Sequence, residues 1–144
     1  MLVRDVLSAK GTEVVTIRPS ATVTEIVGAL AEHRIGALVV IDEAGAVVGI
    51  VSERDVARGL HSHAAGVLER SAADIMTSEV RTCRPEEPVR ELAKAMTDGR
   101  FRHAPVVVDG ALTGIVSIGD IVKSRIDELE TEQDQLVGYL STAQ

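Results

Sequence analysis

The 144 residues, 45% of them apolar, suit one compact domain or two small repeats sharing a core. Only Phe101 and Tyr139 are aromatic, so Val, Ile, Leu and Ala must do the packing, and the net charge of −7 argues against general nucleic-acid binding. There is no apolar run of about 18 residues, no apolar leader follows Met1-Leu2-Val3-Arg4-Asp5, and the lone Cys83 cannot form an internal disulfide. A soluble cytoplasmic protein, neither membrane-spanning nor secreted, is therefore expected.

Residues 2–9 read as a short helix ended by Lys10-Gly11-Thr12. Val14-Val15-Thr16-Ile17 is a β-branched run stopped by Arg18-Pro19 and reads as a strand. Ser20-Ala21-Thr22 opens a helix over about 22–34, whose apolar face is Val23, Ile26, Val27 and Leu30. Ala37 to Ile41 is a continuous apolar strand, Asp42-Glu43-Ala44-Gly45 a hairpin turn, and Ala46 to Val51 a return strand expected to be buried on both faces. Ser52 caps a helix running to about Leu60, and residues 62–70 form a linker.

The pattern then restarts. Ala72 to Thr77 echoes Val3 to Ser8, and Val80-Arg81-Thr82-Cys83-Arg84-Pro85 echoes Val14 to Pro19. A helix with Pro88 in its first turn runs to about Met96. Ala104 to Val108, the turn Asp109-Gly110 and Ala111 to Val116 form a second hairpin. Gly49-Ile50-Val51-Ser52-Glu53-Arg54-Asp55 returns as Gly114-Ile115-Val116-Ser117-Ile118-Gly119-Asp120. The prolines Pro19 and Pro85 lie 66 residues apart and the two Ser-x-x-Asp motifs 65, so one residue has been lost at the hairpin turn. Each motif is a strand that breaks at a capping serine and enters a helix with an aspartate in its first turn.

The expected fold is thus α/β (α+β): two β-α-β-β-α repeats packed about a pseudo-twofold axis, since one three-stranded unit leaves a sheet face uncovered. The boundaries are 1–61 for the first repeat, 62–70 for the linker, 71–126 for the second repeat and 127–144 for a C-terminal helix extension. The last helix, about 118–140, carries Val122, Ile126, Leu129, Gln133, Leu136 and Leu140 at alternating spacings of 4 and 3, a seam for a partner helix. The alternative is that it folds back on its own domain.

A doubled β-α-β-β-α unit with Gly-Ile-Val-Ser-x-x-Asp into each last helix closely resembles the CBS domain pair, or Bateman module. The resemblance spans roughly residues 2–126 and is nearest to small bacterial stand-alone members, through Val51 to Arg58, Asp74 to Thr77, Arg100 to Val106 and Val116 to Asp120. It implies binding of adenosine nucleotides between the repeats, without chemistry on them, usually by dimers of the pair acting as metabolite sensors.

The residue chemistry agrees with that implication. Adjacent ribose hydroxyls suit a carboxylate, so Asp55 and Asp120 are the candidates, one per cleft. A phosphate suits a helix N-terminus with a hydroxyl beside it, which Ser52 and Ser117 offer. Gly119 permits close backbone approach where the first copy has Arg54, able to reach a phosphate, so two sites of unequal affinity are expected. By resemblance, Arg102 and His103 stand where family members contact phosphates, and Ile35, Gly36 and Ala37 match the family's adenine wall. Arg102 occupies the position matching Gly36. Protonation of His103 would make binding pH-sensitive. Thr16 and Thr82 lie on strands expected to line the clefts, although β-propensity alone explains them.

Other constellations point to structure. His61-Ser62-His63 reads as a solvated linker rather than a metal site, and Cys83 as a small core residue. Ser117, His103 and Asp120 invite comparison with a catalytic triad, but capping and ribose binding explain Ser and Asp, and no Gly-x-Ser-x-Gly elbow is present. The expected function is a non-catalytic sensor of an adenine nucleotide (AMP, ADP, ATP or NAD) with no catalytic cofactor. It is expected to be homodimeric and to signal to an unidentified protein partner. The alternatives are a constitutive dimerisation or scaffold module with vestigial clefts and a small hydrolase or transferase.

Overall fold

Asp5 accepts the N–H of Leu2 (2.8 Å) and starts helix α1 (Val3–Lys10), which Gly11 ends at φ +100° with its N–H on the Leu7 carbonyl. Strand β1 (Thr16–Ile17) is followed by α2 (Val23–His33), whose cap is reciprocal: Thr22 accepts from Glu25 N–H while Glu25 accepts from Thr22 N–H. β2 (Ala37–Ile41) and β3 (Val47–Ser52) form the first hairpin, and α3 (Glu53–His63) leaves it at Ser52. A 3₁₀ helix (Ala64–Glu69), α4 (Ala72–Ile75), α5 (Val89–Gly99), β4 (His103–Val108), β5 (Ala111–Ser117) and the long α6 (Ile118–Thr142) complete this mixed α/β fold. The computed structural model describes residues 1–142, so the last two residues of the expected extension 127–144 lie outside the described residues.

In the first sheet β1 runs parallel to β2, and β2 antiparallel to β3. The second sheet has two strands, β4 and β5. Its expected third strand is reduced to one parallel bridge at Cys83, which donates to Pro105 O (2.9 Å) and accepts from Val107 N–H (3.0 Å). The neighbours of Cys83 are drawn elsewhere: the Arg81 guanidinium binds Glu87 (2.7 Å) and the Thr82 carbonyl, and Arg84 lies 3.9 Å from Glu86. The missing residue of the second copy is in the turn. Asp42 Oδ1 accepts from Ala44 and Ala46 N–H in the longer first loop, whereas Asp109 and Gly110 alone close the second, both at positive φ.

The leading helices cross over. Val3, Val6 and Leu7 of α1 are buried with Leu92, Met96, Ala104, Val106 and Val116 in the core of the second copy. Ala72 of α4 and Val67 of the 3₁₀ helix are buried with Val23, Ile26, Leu38, Val40 and Val51 in the core of the first. The main chain repeats the exchange atom for atom. Val3 and Arg4 N–H donate to Glu87 and Pro85 (2.9 and 3.0 Å), and Ala72 and Ala73 N–H donate to Ala21 and Pro19 (2.7 and 3.0 Å). Val89 N–H reaches Met1 O (3.1 Å) just as Val23 N–H reaches Arg70 O (2.9 Å).

The glycines of the doubled motif belong to this exchange. A Cβ on Gly114 would stand 3.0 Å from a Leu7 methyl, and one on Gly49 would stand 2.3 Å from Met76 Sδ. Each strand is kept bare so that the visiting helix can lie on it. One expectation is corrected here: the return strand β3 is not buried on both faces, since only Gly49 and Val51 are buried. The 62–70 linker contains the 3₁₀ helix and buries Val67. α3 continues to His63, with the exposed His61 and His63 in its last turn.

Candidate functional site: two clefts between the copies

Because the copies face one another, the helix start of one meets the strand entrance of the other, and this happens twice. The first cleft, about 480 Å³, has Ser52, Arg54 and Asp55 from the start of α3 opposite Phe101, Arg102 and His103. The second, about 690 Å³, has Ser117 and Asp120 from α6 opposite Ile35, Gly36 and Ala37. Both volumes lie in the range of small-molecule sites. Gly36 and His103 line both clefts and form the partition. A Cβ on Gly36 would lie 3.3 Å from His103 Nε2, so the imidazole packs against the bare backbone of the facing copy.

The two helix starts are built alike. Ser52 N–H donates to Asp55 Oδ2 and Ser117 N–H to Asp120 Oδ2, each at 2.8 Å, while each serine Oγ accepts from the aspartate N–H (3.4 and 3.1 Å). Glu53 N–H is held by Gly36 O (3.0 Å) and Ile118 N–H by Arg102 O (2.9 Å). Capping and wall contacts thus use the first and third helical amides of each start. Both serine hydroxyls accept in the caps.

The aspartates themselves differ. Asp55 is only 8% exposed; Ser52 Oγ donates to its Oδ2 (3.1 Å), and Thr77 Oγ1 stands 3.5 Å from its Oδ1. The Thr77 main chain also pairs with Ile50 in both directions (2.9 and 3.0 Å). In the second cleft one side chain takes both roles: Lys10 Nζ donates to Asp120 Oδ2 (2.7 Å) and to Ile115 O (2.8 Å). Asp120 keeps its Oδ1 without a hydrogen-bond partner among the described residues. Burial works against the charge on Asp120, but the Lys10 hydrogen bond, the Ser117 N–H, the Lys10 charge and the Ser117 hydroxyl outweigh it and hold the carboxyl below its ordinary value. Burial pushes the His103 imidazole down; Asp120 and Glu53 pull it up in part, and Lys10 and Arg102 press it lower.

Of the residues singled out from the sequence, Gly36, Ser52, Arg54, Asp55, Arg102 and His103 meet in the first cleft, and Ile35, Gly36, Ala37, His103, Ser117 and Asp120 in the second. The threonines do not join them. Val15 and Ile17 pack on the first core, so strand alternation turns Thr16 to the other face, onto a hollow between the two hairpin turns. Thr82 lines neither cleft; the neighbouring residues that do are Val14 and Val15, just before β1, in the second and their counterparts Val80 and Arg81 in the first. Sequence reasoning also missed Lys10, Arg34, Arg58 and Arg100. Arg34 and Arg100 end α2 and α5 in the left-handed region, at φ +53° and +54°, a conformation that costs a non-glycine residue roughly 1–2 kcal/mol. The signal the sequence offered was their matching place in the two repeats, 66 residues apart like Pro19 and Pro85. Cys83 is 2% exposed; burial, then Glu87, push its thiol up to about 12 against the opposing pull of Arg81.

Comparison with known proteins follows the same doubling. The CBS domain family matches residues 3–62 and again 72–127. The chain is 37% identical over 123 residues to a mitochondrial CBS domain-containing protein of Arabidopsis thaliana, covering 83% of this chain and 60% of that relative's length. Among solved structures, a CBS-domain containing protein of Agrobacterium tumefaciens superposes with a TM-score of 0.84 at 44% identity, covering 86% of this chain and 92% of that one. A CBS domain protein of Pyrobaculum aerophilum, complexed with AMP, superposes with a TM-score of 0.74 at 29% identity, covering 83% of this chain and 89% of that one. No helix among the described residues is long and apolar enough to cross a membrane. With both copies matched and the fold shared, the chain belongs to the CBS domain family and carries the domain as a pair.

Proposed function

We propose that this chain is a non-catalytic regulatory module of the cytoplasm that binds an adenine nucleotide (AMP, ADP, ATP or NAD) between its two CBS repeats and passes occupancy to a separate partner protein. One observation carries the reading. The same constellation occurs twice, a capped Ser-x-x-Asp helix start facing the other copy's wall across a cleft of nucleotide size. A relative of the same fold complexed with AMP supports it. The non-catalytic part is supported by the caps: Ser117 Oγ accepts from Asp120 N–H, and Asp120 is tied to Lys10, so neither is arranged as a nucleophile and its base. In the second cleft Asp120 would accept from the ribose hydroxyls, with Ile35 and Ala37 along the base. In the first, Asp55 would take the matching part, and Arg102 and His103 would face the phosphate. Isothermal titration with AMP tests this: Asp120→Asn should weaken binding about tenfold or more at the second cleft, one charge-assisted hydrogen bond's worth. An unchanged affinity at both sites would remove Asp120 from the site.

The scaffold reading keeps one observation of its own. α6 does not fold back: Val122, Ile126, Leu129, Leu136 and Leu140 are 51, 49, 46, 59 and 56% exposed, an apolar strip along the seam spacing. We assign this strip to a homodimer contact, within either reading. Ending the chain after Ile126 should lower the sedimentation mass to that of a monomer while AMP still binds. A truncated chain that remains a dimer would place the contact elsewhere.

A further inference from the structure

We infer that the two clefts are sorted by charge, the first taking an adenine nucleotide with two or more phosphates and the second an adenosine ligand with at most one phosphate. The inference rests on the adenine-nucleotide reading and goes further, assigning a ligand class to each site.

The charges are placed against the trend of the molecule, which carries −7 overall. Five arginines nevertheless line the first cleft: Arg54, Arg58, Arg81, Arg100 and Arg102. Against them stand Glu53, Asp55 and Glu79, five positive and three negative, net +2. Two of the five are already engaged, Arg81 with Glu87 at 2.7 Å and Arg58 with Asp55 at 3.9 Å. Arg54, Arg100 and Arg102 have no carboxylate within 4.0 Å among the described residues. They come from two segments, the start of α3 and the turn after α5, so their guanidiniums meet only across this cleft.

The second cleft is the larger of the two and balances instead. Lys10 and Arg34 face Glu13 and Asp120, net zero, and Lys10 is spent on Asp120. Among the described residues Arg34 is the one lining cation of this cleft with no carboxylate within 4.0 Å. A chain of phosphates placed here would meet one free cation, Arg34, and one free carboxylate, Glu13, while the same chain in the first cleft would meet three free guanidiniums able to grip oxygens in pairs, against Glu53 and Glu79. Arginines left unpaired round a concavity repel one another, and a polyanion removes that repulsion. A base and ribose without phosphates gain nothing from them, and suit the neutral cleft, where Asp120 Oδ1 is open.

The test is isothermal titration of the full chain with ATP, adenosine and inorganic tripolyphosphate at low and moderate salt. Wild type is compared with the double variant Arg54→Gln, Arg102→Gln and with Asp120→Asn. ATP should bind at a site that loses about tenfold or more in the double variant and keeps its affinity in Asp120→Asn. Adenosine should show the reverse, and only ATP and tripolyphosphate binding should weaken strongly with salt. ATP and adenosine competing for one site, or ATP affinity that falls in Asp120→Asn but not in the double variant, would overturn the assignment. Tripolyphosphate binding that the arginine variant abolishes, with no adenosine or ATP preference for either cleft, would refute the adenine reading and leave the charge sorting standing. No binding of any of the three probes would refute both.

Discussion

Substituting Gly49 by alanine tests the crossing of the leading helices, the feature on which both clefts depend. Gly49 lies at negative φ, so alanine fits its backbone, and in solvent the change would be neutral or mildly stabilising by restricting the unfolded chain. In the fold the new methyl would stand 2.3 Å from Met76 Sδ, 2.9 Å from Met76 Cγ and 3.2 Å from the Thr77 carbonyl. Met76 is flexible and can move aside. Thr77 cannot retreat, because its main chain is bonded to Ile50 on both sides at 2.9 and 3.0 Å. Overpacking of this kind costs about 1–3 kcal/mol. The matched change Gly114→Ala meets first the methyls of Leu7, at 3.0 and 3.3 Å, then its Cγ at 3.7 Å, with no main-chain atom nearer, so its cost should stay within about 1 kcal/mol. Urea unfolding of both variants at constant m-value reads the difference, equivalent to a fall in Tm of about 2–4 °C per kcal/mol. Gly49→Ala as stable as wild type, or less damaging than Gly114→Ala, would show that α4 does not press on β3 as described.

Two further predictions concern titrating groups. His103 binds its proton less readily folded than unfolded, so its contribution to stability is present above about pH 6.5 and is lost as pH falls from there through the folded value. His103→Asn should therefore flatten the stability profile between about pH 7 and 5, and a variant as steep as wild type would contradict the assignment. Cys83, raised to about 12, should resist iodoacetamide in the folded protein at mildly alkaline pH and react once urea unfolds the chain; prompt alkylation of the native protein would contradict its burial.

How much of this was legible in the sequence depended on which kind of information a residue carries. The doubled Gly-Ile-Val-Ser-x-x-Asp stretch carried local information, a strand, a cap and a helix start, and the structure has all three at both places. Hydrophobic spacing in Val3, Val6 and Leu7 says that one face of α1 is buried. It is silent on which copy covers it, so the crossing appears only when Pro85 and Glu87 are seen to accept from α1. Thr16 and Thr82 were misplaced for a related reason. Pattern fixes that strand residues alternate, but Val15 and Ile17 decide which face is core. Lys10 entered the reading only as part of a helix stop, and Arg58 and Arg100 only as parts of longer family phrases; the facing copy turns them into the linings of two differently charged clefts.

The central claim is that an adenosine ligand sits between the repeats, and crystals grown with AMP test it most directly. The account predicts nucleotide density in a cleft between the two copies. An adenosine in the second cleft should have its ribose hydroxyls within hydrogen-bond distance of Asp120 and its base against Ile35 and Ala37. Empty clefts in crystals of protein that binds AMP in solution, or AMP bound on a surface outside both clefts, would contradict it.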